Sequence, residues 1–215
     1  MRPLHQFALA SLLAIGTASS HAQVRITEWM YNGSEFIEFT NLGSSAVDFS
    51  GWSYDDESQI AGTVDLSAIG SLAAGASAIL AEDEADAFRS QWGLAASVAV
   101  IGGNSVNLGR NDEINLYDAG GQLVDRLRYG DSSYVPGSIR TLNISGNPAS
   151  LALLGQGHSG GWVLSAPGDL YASISSSTGM VGNPGVFTLA VPEPASVALM
   201  LAGLVAVGAA ARRRA

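Results

Sequence analysis

Apolar and polar residues alternate over short stretches between residues 24 and 129, the pattern expected of β-strands with one buried face. In the stretch VRITEWMY at 24–31, apolar residues alternate with polar neighbours until Glu28 interrupts the pattern. Turn signals such as Asn32-Gly33 separate one stretch from the next. The same pattern predicts further strands at residues 35–41, 47–54, 76–81, 97–101, 113–118 and 123–129.

One segment has helical spacing instead. Phe88 and Trp92 are four residues apart, so they share one face of a helix. Asp83 is expected to cap this helix, acidic residues suit its first turn, and Gly93 ends it. The pattern therefore predicts one short α-helix ending near residue 92.

Composition favours an all-β fold. The chain has 215 residues, 26 of them glycine, and only 13% are charged, which suits a turn-rich β protein better than a helical bundle. Short strands separated by glycine-rich turns predict a β-sandwich of about seven or more strands.

Residues 131–190 are rich in Gly, Ser, Pro and Asn, with few apolar residues between them. We interpret residues 23–172 as the sandwich domain and residues 173–190 as a Ser/Gly-rich stalk. The alternative is a body that is folded throughout and has long loops.

The N-terminal segment 1–22 is typical of a secretory signal peptide. A polar start is followed by a nine-residue apolar stretch at 7–15, too short to span a membrane. Small residues at 20 and 22 predict cleavage by signal peptidase between Ala22 and Gln23, after passage through the Sec translocon. An uncleaved N-terminal anchor is the alternative.

The C-terminal segment 191–215 has three parts in a fixed order. They are Pro192-Glu193-Pro194, an uncharged apolar run at 195–211, and Arg212-Arg213-Arg214. The apolar run is long enough for a slightly short transmembrane helix, and the arginines predict a cytoplasmic end. A plain membrane anchor behind a proline-stiffened stalk would share these features.

This arrangement resembles the bacterial PEP-CTERM sorting signal. The resemblance implies that an exosortase, an integral-membrane protease, processes the chain after it has passed transiently through the inner membrane. It further implies a location in the cell envelope, on the outer surface or in the extracellular matrix. Proteins with this signal are associated with exopolysaccharide and biofilm matrix.

The exported body resembles the lamin-tail domain. Its counterparts are EFIEFTN at 35–41, VDFSGW at 47–52, the hairpin beginning at 109 and the strand at 125–130. The resemblance covers about residues 24–130, with WVLSAP at 162–167 as a closing segment. It implies an immunoglobulin-like sandwich.

Charge and residue types exclude several functions. The absence of cysteine excludes disulfides, thiol catalysis and cysteine metal sites. The net charge is −9, and the body at 23–190 carries six arginines and 18 acidic residues, a charge of −12. Nucleic-acid binding is therefore not expected. His158 is the single histidine of the body, and no nucleophile elbow accompanies it, so no hydrolase triad is predicted.

Calcium is the most credible ligand, since oxygen-only sites suit an acidic extracellular protein. No cofactor is otherwise expected. The candidate ligands lie in two loops, and solvated acidic loops are the plainer interpretation; they are Asp55, Asp56 and Glu57 in the first loop, and Asp112 and Glu113 in the second. Trp162, in a glycine-rich context, is the candidate for binding sugar.

The sequence thus predicts a non-enzymatic exported protein with a structural or adhesive role. One alternative is a Ca²⁺-dependent module that binds extracellular polysaccharide. The other is a hydrolase that uses carboxylates. Glu35 and Glu38 are three apart on one strand, so they should point to opposite faces, which does not suit a catalytic pair.

Overall fold

Two main β-sheets form the body of the protein in a computed structural model, which describes residues 24–188. The strands are β1 (Val24–Met30), β2 (Phe36–Asn41), β3 (Val47–Asp48), β4 (Ser53–Asp55), β5 (Val64–Asp65), β6 (Ser71–Leu72), β7 (Ser77–Ala81), β8 (Ala99–Ile101), β9 (Asp112–Tyr117), β10 (Leu123–Tyr129), β11 (Gly146–Pro148), β12 (Gly157–His158), β13 (Trp162–Leu164), β14 (Ile174–Ser175) and β15 (Val181–Gly182). The helices are α1 (Ala85–Trp92) and two 3-10 turns, Ser67–Ile69 and Leu151–Leu153.

The first sheet has six strands in the order β13-β11-β1-β2-β7-β8, and the second has five in the order β12-β10-β9-β4-β5. Neighbours are antiparallel except in the β7–β8 and β10–β12 pairs. Two small pairs, β3–β6 and β14–β15, complete the described part. A mostly β fold with one short α-helix is thus confirmed for residues 24–188.

The main core lies between the two sheets. Trp29 occupies its centre, with ring centroids 5.3 Å from Tyr129 and 5.1 Å from Trp162. Alternate residues of β2, Ile37 and Phe39, face the same core, as the sequence pattern predicts. These side chains join residues of β4, β9 and β10 in one continuous cluster.

The opposite face of the six-stranded sheet is buried too. Phe36 and Ile79 pack there against Phe88 and Trp92 of α1 and against Met180. Every residue of β2 is therefore buried, although its alternating sequence predicts one exposed face. The polar residues of β2 lie inside the protein because other segments cover them.

Two local predictions are corrected. The strand predicted at 47–54 is two strands, because Gly51 turns the chain with φ +75° and sends β3 and β4 into different sheets. Asp83 does not cap α1; Glu84 precedes the helix without a side-chain cap, and Asp83 accepts a 2.5 Å hydrogen bond from Ser34 Oγ instead. Gly93 ends the helix in the left-handed conformation, as predicted.

The predicted stalk is folded as far as the structure describes it. Residues 173–188, which we call the strap, form the β14–β15 pair and lie over the outer face of the six-stranded sheet. The polar composition of these residues predicts a stalk. The segment is folded nevertheless, because its backbone amides donate hydrogen bonds to buried carboxylates. Residues 173–188 agree with the alternative interpretation, a folded body with long loops.

The sorting segments predicted at 1–22 and 191–215 lie outside the described residues. The same is true of the cleavage site and of the apolar run at 195–211. Within residues 24–188, none of the helices is both long and apolar enough to cross a membrane.

Candidate functional site

A pair of fully buried carboxylates, Glu28 and Glu38, lies beneath the strap. The two residues are register partners on the adjacent strands β1 and β2. A β-bulge between Ile26 and Glu28 places this pair, since it lets Ile26 and Trp29 both face the main core although they are three residues apart. The interruption of the alternating pattern at Glu28 is the sequence signal of this bulge.

The strap supplies backbone hydrogen bonds to both carboxylates. Asn183 N donates to Glu28 Oε1 over 2.8 Å, and Gly185 N donates to Glu38 Oε2 over 2.7 Å. Ser145 Oγ also donates to Glu28 Oε1. Glu28 Oε2 is buried and has no hydrogen-bond partner among the described residues. Because backbone donors point at the carboxylates, the pair is suited to holding the strap and a proton, not a cation.

Burial changes the acidity of both groups. Loss of hydration raises the pKa of Glu28 well above its ordinary value, and the charge of Glu38 raises it further. Burial raises the pKa of Glu38 to about 7, against hydrogen bonds from hydroxyl and backbone groups that lower it. Since the two groups interact, they titrate as a pair, and a proton is retained between them near neutral pH.

A network of small polar side chains surrounds Glu28. Ser145 Oγ lies 2.6 Å from Ser165 Oγ, and Asn147 Nδ2 donates to Ser165 Oγ and to Asn183 Oδ1, each over 2.8 Å. The network joins β11 and the segment after β13 to the strap. Gly182 passes so close that a Cβ there would lie 2.9 Å from Glu28 Oε1.

Glu35 binds a different part of the backbone. Its Oε1 accepts a 2.7 Å hydrogen bond from Leu108 N, and burial raises its pKa to about 8. Glu38 contacts Thr27 and the strap instead, so the two glutamates have separate surroundings, in keeping with the opposite faces predicted from their spacing. Both carboxylates are buried, with Glu35 5% and Glu38 0% exposed.

The two acidic segments predicted from the sequence meet at one end of the five-stranded sheet, but they are not both loops, because Asp55 ends β4 and Asp112 and Glu113 begin β9. Strands β4 and β9 pair with Asp55 opposite Asn115, and the side chains of Glu57 and Asp112 hydrogen-bond to each other. Burial and this hydrogen bond raise the pKa of Asp112 to about 7, so it shares a proton with Glu57.

Most carboxylate oxygens of these segments hydrogen-bond within the protein, although Asp55 Oδ1 is buried without a partner among the described residues. Asp55 Oδ2 accepts hydrogen bonds from Ser58 Oγ and Ile60 N, over 2.7 and 2.5 Å. Glu113 is 3.0 Å from Arg128 Nε. Within residues 24–188, no group of three or more acidic or histidine side chains is arranged to hold a metal ion.

Comparison with known families shows the family to which the chain belongs. The lamin tail domain matches residues 17–131, more than half of the chain. The chain belongs to the lamin tail domain family. The resemblance drawn from the strand motifs is thereby confirmed. No curated protein matches the chain.

The folded body extends past the part that matches the lamin tail domain. Strands β11 and β13 belong to the six-stranded sheet, and the strap covers its outer face, yet both come after residue 131. The region beyond the family match is therefore an integral part of this lamin tail domain protein.

The PEP-CTERM protein-sorting motif matches residues 190–214. This confirms the second resemblance, and it marks the protein as exported, processed by an exosortase and anchored at the cell surface. Pro192, Glu193 and Pro194 lie within the matched range, as do the three terminal arginines.

Two further candidates have structural roles in this lamin tail domain protein. Trp162 is only 3% exposed and packs against Trp29, which corrects its prediction as a sugar-binding side chain. Trp162 is buried because β13 is the edge strand that closes the main core. His158 is an exposed residue of β12, and its Nδ1 accepts a 3.1 Å hydrogen bond from Gly160 N.

The sequence did not reveal the partners of the buried carboxylates. Ser145, Asn147 and Asn183 lie in a polar region without a recognisable motif, more than 100 residues from Glu28. Only the fold brings them together. The one local signal was Glu28 itself, a charged residue within a strand pattern.

Proposed function

We propose that this lamin tail domain protein is a non-enzymatic structural or adhesive component of the cell envelope or of an exopolysaccharide or biofilm matrix. Export and exosortase processing deliver it to that location. Its partner there is extracellular polysaccharide or another matrix component, engaged through loops and not through a catalytic centre.

The use of its buried carboxylates is the observation that carries this proposal. Glu28, Glu35 and Glu38 each accept a hydrogen bond from the backbone of a segment distant in sequence. Asp125 does the same for Ile26 N over 2.9 Å. Groups that could perform acid–base chemistry therefore hold the fold together, which suits a durable display module better than a hydrolase.

The formal charge of the body indicates which charge a binding partner should carry. The formal charge over residues 23–190 is −12, and the body stays acidic even though some buried carboxyl groups hold protons, so it repels anionic polymers and favours neutral or basic partners. Adhesion through exposed loops would leave the sheets and their buried acidic residues undisturbed.

A deletion strain tests the proposal. We expect loss of the protein to reduce matrix retention, and complementation with the full chain to restore it. Complementation with Glu35→Gln or Glu38→Gln should restore it equally, since neither carboxylate is proposed to be catalytic. A matrix defect that these variants fail to correct, despite normal folding and display, would instead support the hydrolase alternative.

A second candidate is a Ca²⁺-dependent polysaccharide-binding module. The observation that favours it is the meeting of the acidic segment after β4 with the acidic start of β9, where Glu57 lies against Asp112. Calorimetry with Ca²⁺ on the exported protein tests it directly. Heat of binding together with a higher melting temperature supports this candidate, whereas the absence of both removes it.

A further inference from the structure

An uncharged groove lies between the strap and the chain that follows α1. Its volume is about 260 Å³, and it is lined mainly by the apolar side chains Leu94, Val98, Ile174, Pro184 and Val186. None of the described residues that line the groove is charged. On a body with a charge of −12, such a surface is distinctive.

Exposed apolar side chains adjoin this groove. Leu170 is 79% exposed, and Ile174 and Val186 are 47% and 48% exposed. Ile174 and Val186 line the groove itself, and Leu170 is joined to the end of the strap by the hydrogen bond between its carbonyl and Thr188. Scattered apolar residues are ordinary on protein surfaces, but exposed apolar side chains grouped around an apolar groove are typical of an interaction surface. We call Leu170, Ile174, Val186 and the groove the exit face.

The exit face lies where the chain leaves the described body. Thr188 is the last described residue, and its Oγ1 donates to Leu170 O over 3.3 Å. Pro192 follows four residues later, and the apolar run begins at residue 195. Seven residues span at most about 25 Å when fully extended. While the chain is anchored, the exit face is therefore within short reach of the bilayer.

We propose that the exit face rests on the lipid surface of the inner membrane before exosortase processing. Apolar side chains gain by leaving water, and the uncharged lining avoids the cost of burying a charge. With this face on the bilayer, the acidic remainder of the body is kept away from anionic headgroups. The contact holds the Pro192 motif close to the membrane surface, where an integral-membrane protease can reach it.

Lipid contact can be measured because the chain has no cysteine of its own. The full chain is reconstituted in vesicles of phosphatidylethanolamine and phosphatidylglycerol, with a fluorophore on a single introduced cysteine. Leu170→Cys reports on the exit face. Ile60→Cys is the matched control, since Ile60 is an apolar side chain that is 61% exposed in a different loop. Unchanged melting temperatures confirm that both variants are folded.

We expect nitroxide-labelled lipid to quench the fluorophore at residue 170 several-fold more than that at residue 60. A second variant, Ile174→Cys, should give the same result. Equal quenching at the two positions would overturn the proposal. Energy transfer between labelled copies, without lipid quenching, would assign the exit face to a second copy and would also overturn it. Lipid quenching is measured independently of matrix retention. If the proposed matrix role were disproved, the proposal that the exit face contacts lipid would still stand.

Discussion

Glu28 and Glu38 face each other across β1 and β2, and both carboxylates are fully buried beneath the same strap. Like charges this close are mutually unfavourable unless a proton is shared. The strap adds one backbone hydrogen bond to each carboxylate. The protonation of Glu28 and Glu38 is thus coupled to the binding of the strap to the sheet.

Stability should fall as pH rises. The pKa values of Glu35 and Glu38 are raised to about 8 and about 7, whereas in the unfolded chain they return to about 4.5. Between these values the folded state binds more protons than the unfolded state. The contribution of the two carboxyl groups to the free energy of unfolding is therefore fully present below pH 4.5, and it is lost as pH rises through 7 to 8. We expect a lower melting temperature at pH 9 than at pH 6. Thermal scans across this range test the sign, and a curve that rises with pH would contradict it.

Removing the carboxyl of Glu38 should cost more than neutralising it. Glu38→Ala leaves Gly185 N without its acceptor, at about 1–3 kcal/mol for the unsatisfied group, and it removes one of the two hydroxyl or carboxylate partners of Thr27 Oγ1. Glu38→Gln keeps an acceptor oxygen and removes the charge, so it should weaken the pH dependence, while Glu35 keeps its own contribution. Urea unfolding at pH 6 and pH 9 measures both effects. The control is Glu82→Ala, an exposed glutamate, which should change little; an equal loss there would argue against the role of burial.

Gly182→Ala should loosen the strap. The added Cβ would lie 2.9 Å from both Glu28 Oε1 and Ser145 Oγ, closer than real contacts allow. We expect faster hydrogen exchange at the amides of Asn183 and Gly185. The control is Gly120→Ala, where the nearest atom is the side chain of Asp118 at 3.3 Å. Unchanged hydrogen exchange at these amides in Gly182→Ala would show that the strap accommodates the methyl group and keeps its hydrogen bonds.

Trp162→Ala should destabilise the core by about 3–5 kcal/mol, as expected for a large buried aromatic side chain. The neighbouring Val163→Ala provides a control on the same strand, because Val163 is 38% exposed. Urea unfolding of the two variants gives the comparison. Similar losses in both would contradict the placement of Trp162 in the core.

Deletion of residues 173–188 distinguishes a strap from a stalk. The deletion would remove Met180 from the cluster around Phe36 and Ile79, and it would remove the backbone donors of both buried glutamates. We expect the shortened chain to aggregate or to lose cooperative unfolding, as followed by circular dichroism and size-exclusion chromatography. A normally folded product would show that the rest of the body does not depend on the strap.

Local patterns in the sequence determined the longer strands of the lamin tail domain, the one α-helix of the described residues and the C-terminal sorting motif. Alternation, turn residues and a four-residue aromatic spacing act between near neighbours, so they can be recognised without a fold. The bulge at Glu28 left a visible interruption for the same reason.

Only the tertiary structure decided what covers each face. Residues 173–188 have the composition of a linker, yet their amides satisfy carboxylates that lie about 150 residues earlier. Trp162 stands among glycines but closes the core, because β13 pairs with β11 at the edge of the sheet. Burial and hydrogen bonding between distant segments depend on strand order, and strand order is a property of the whole chain that no local pattern contains.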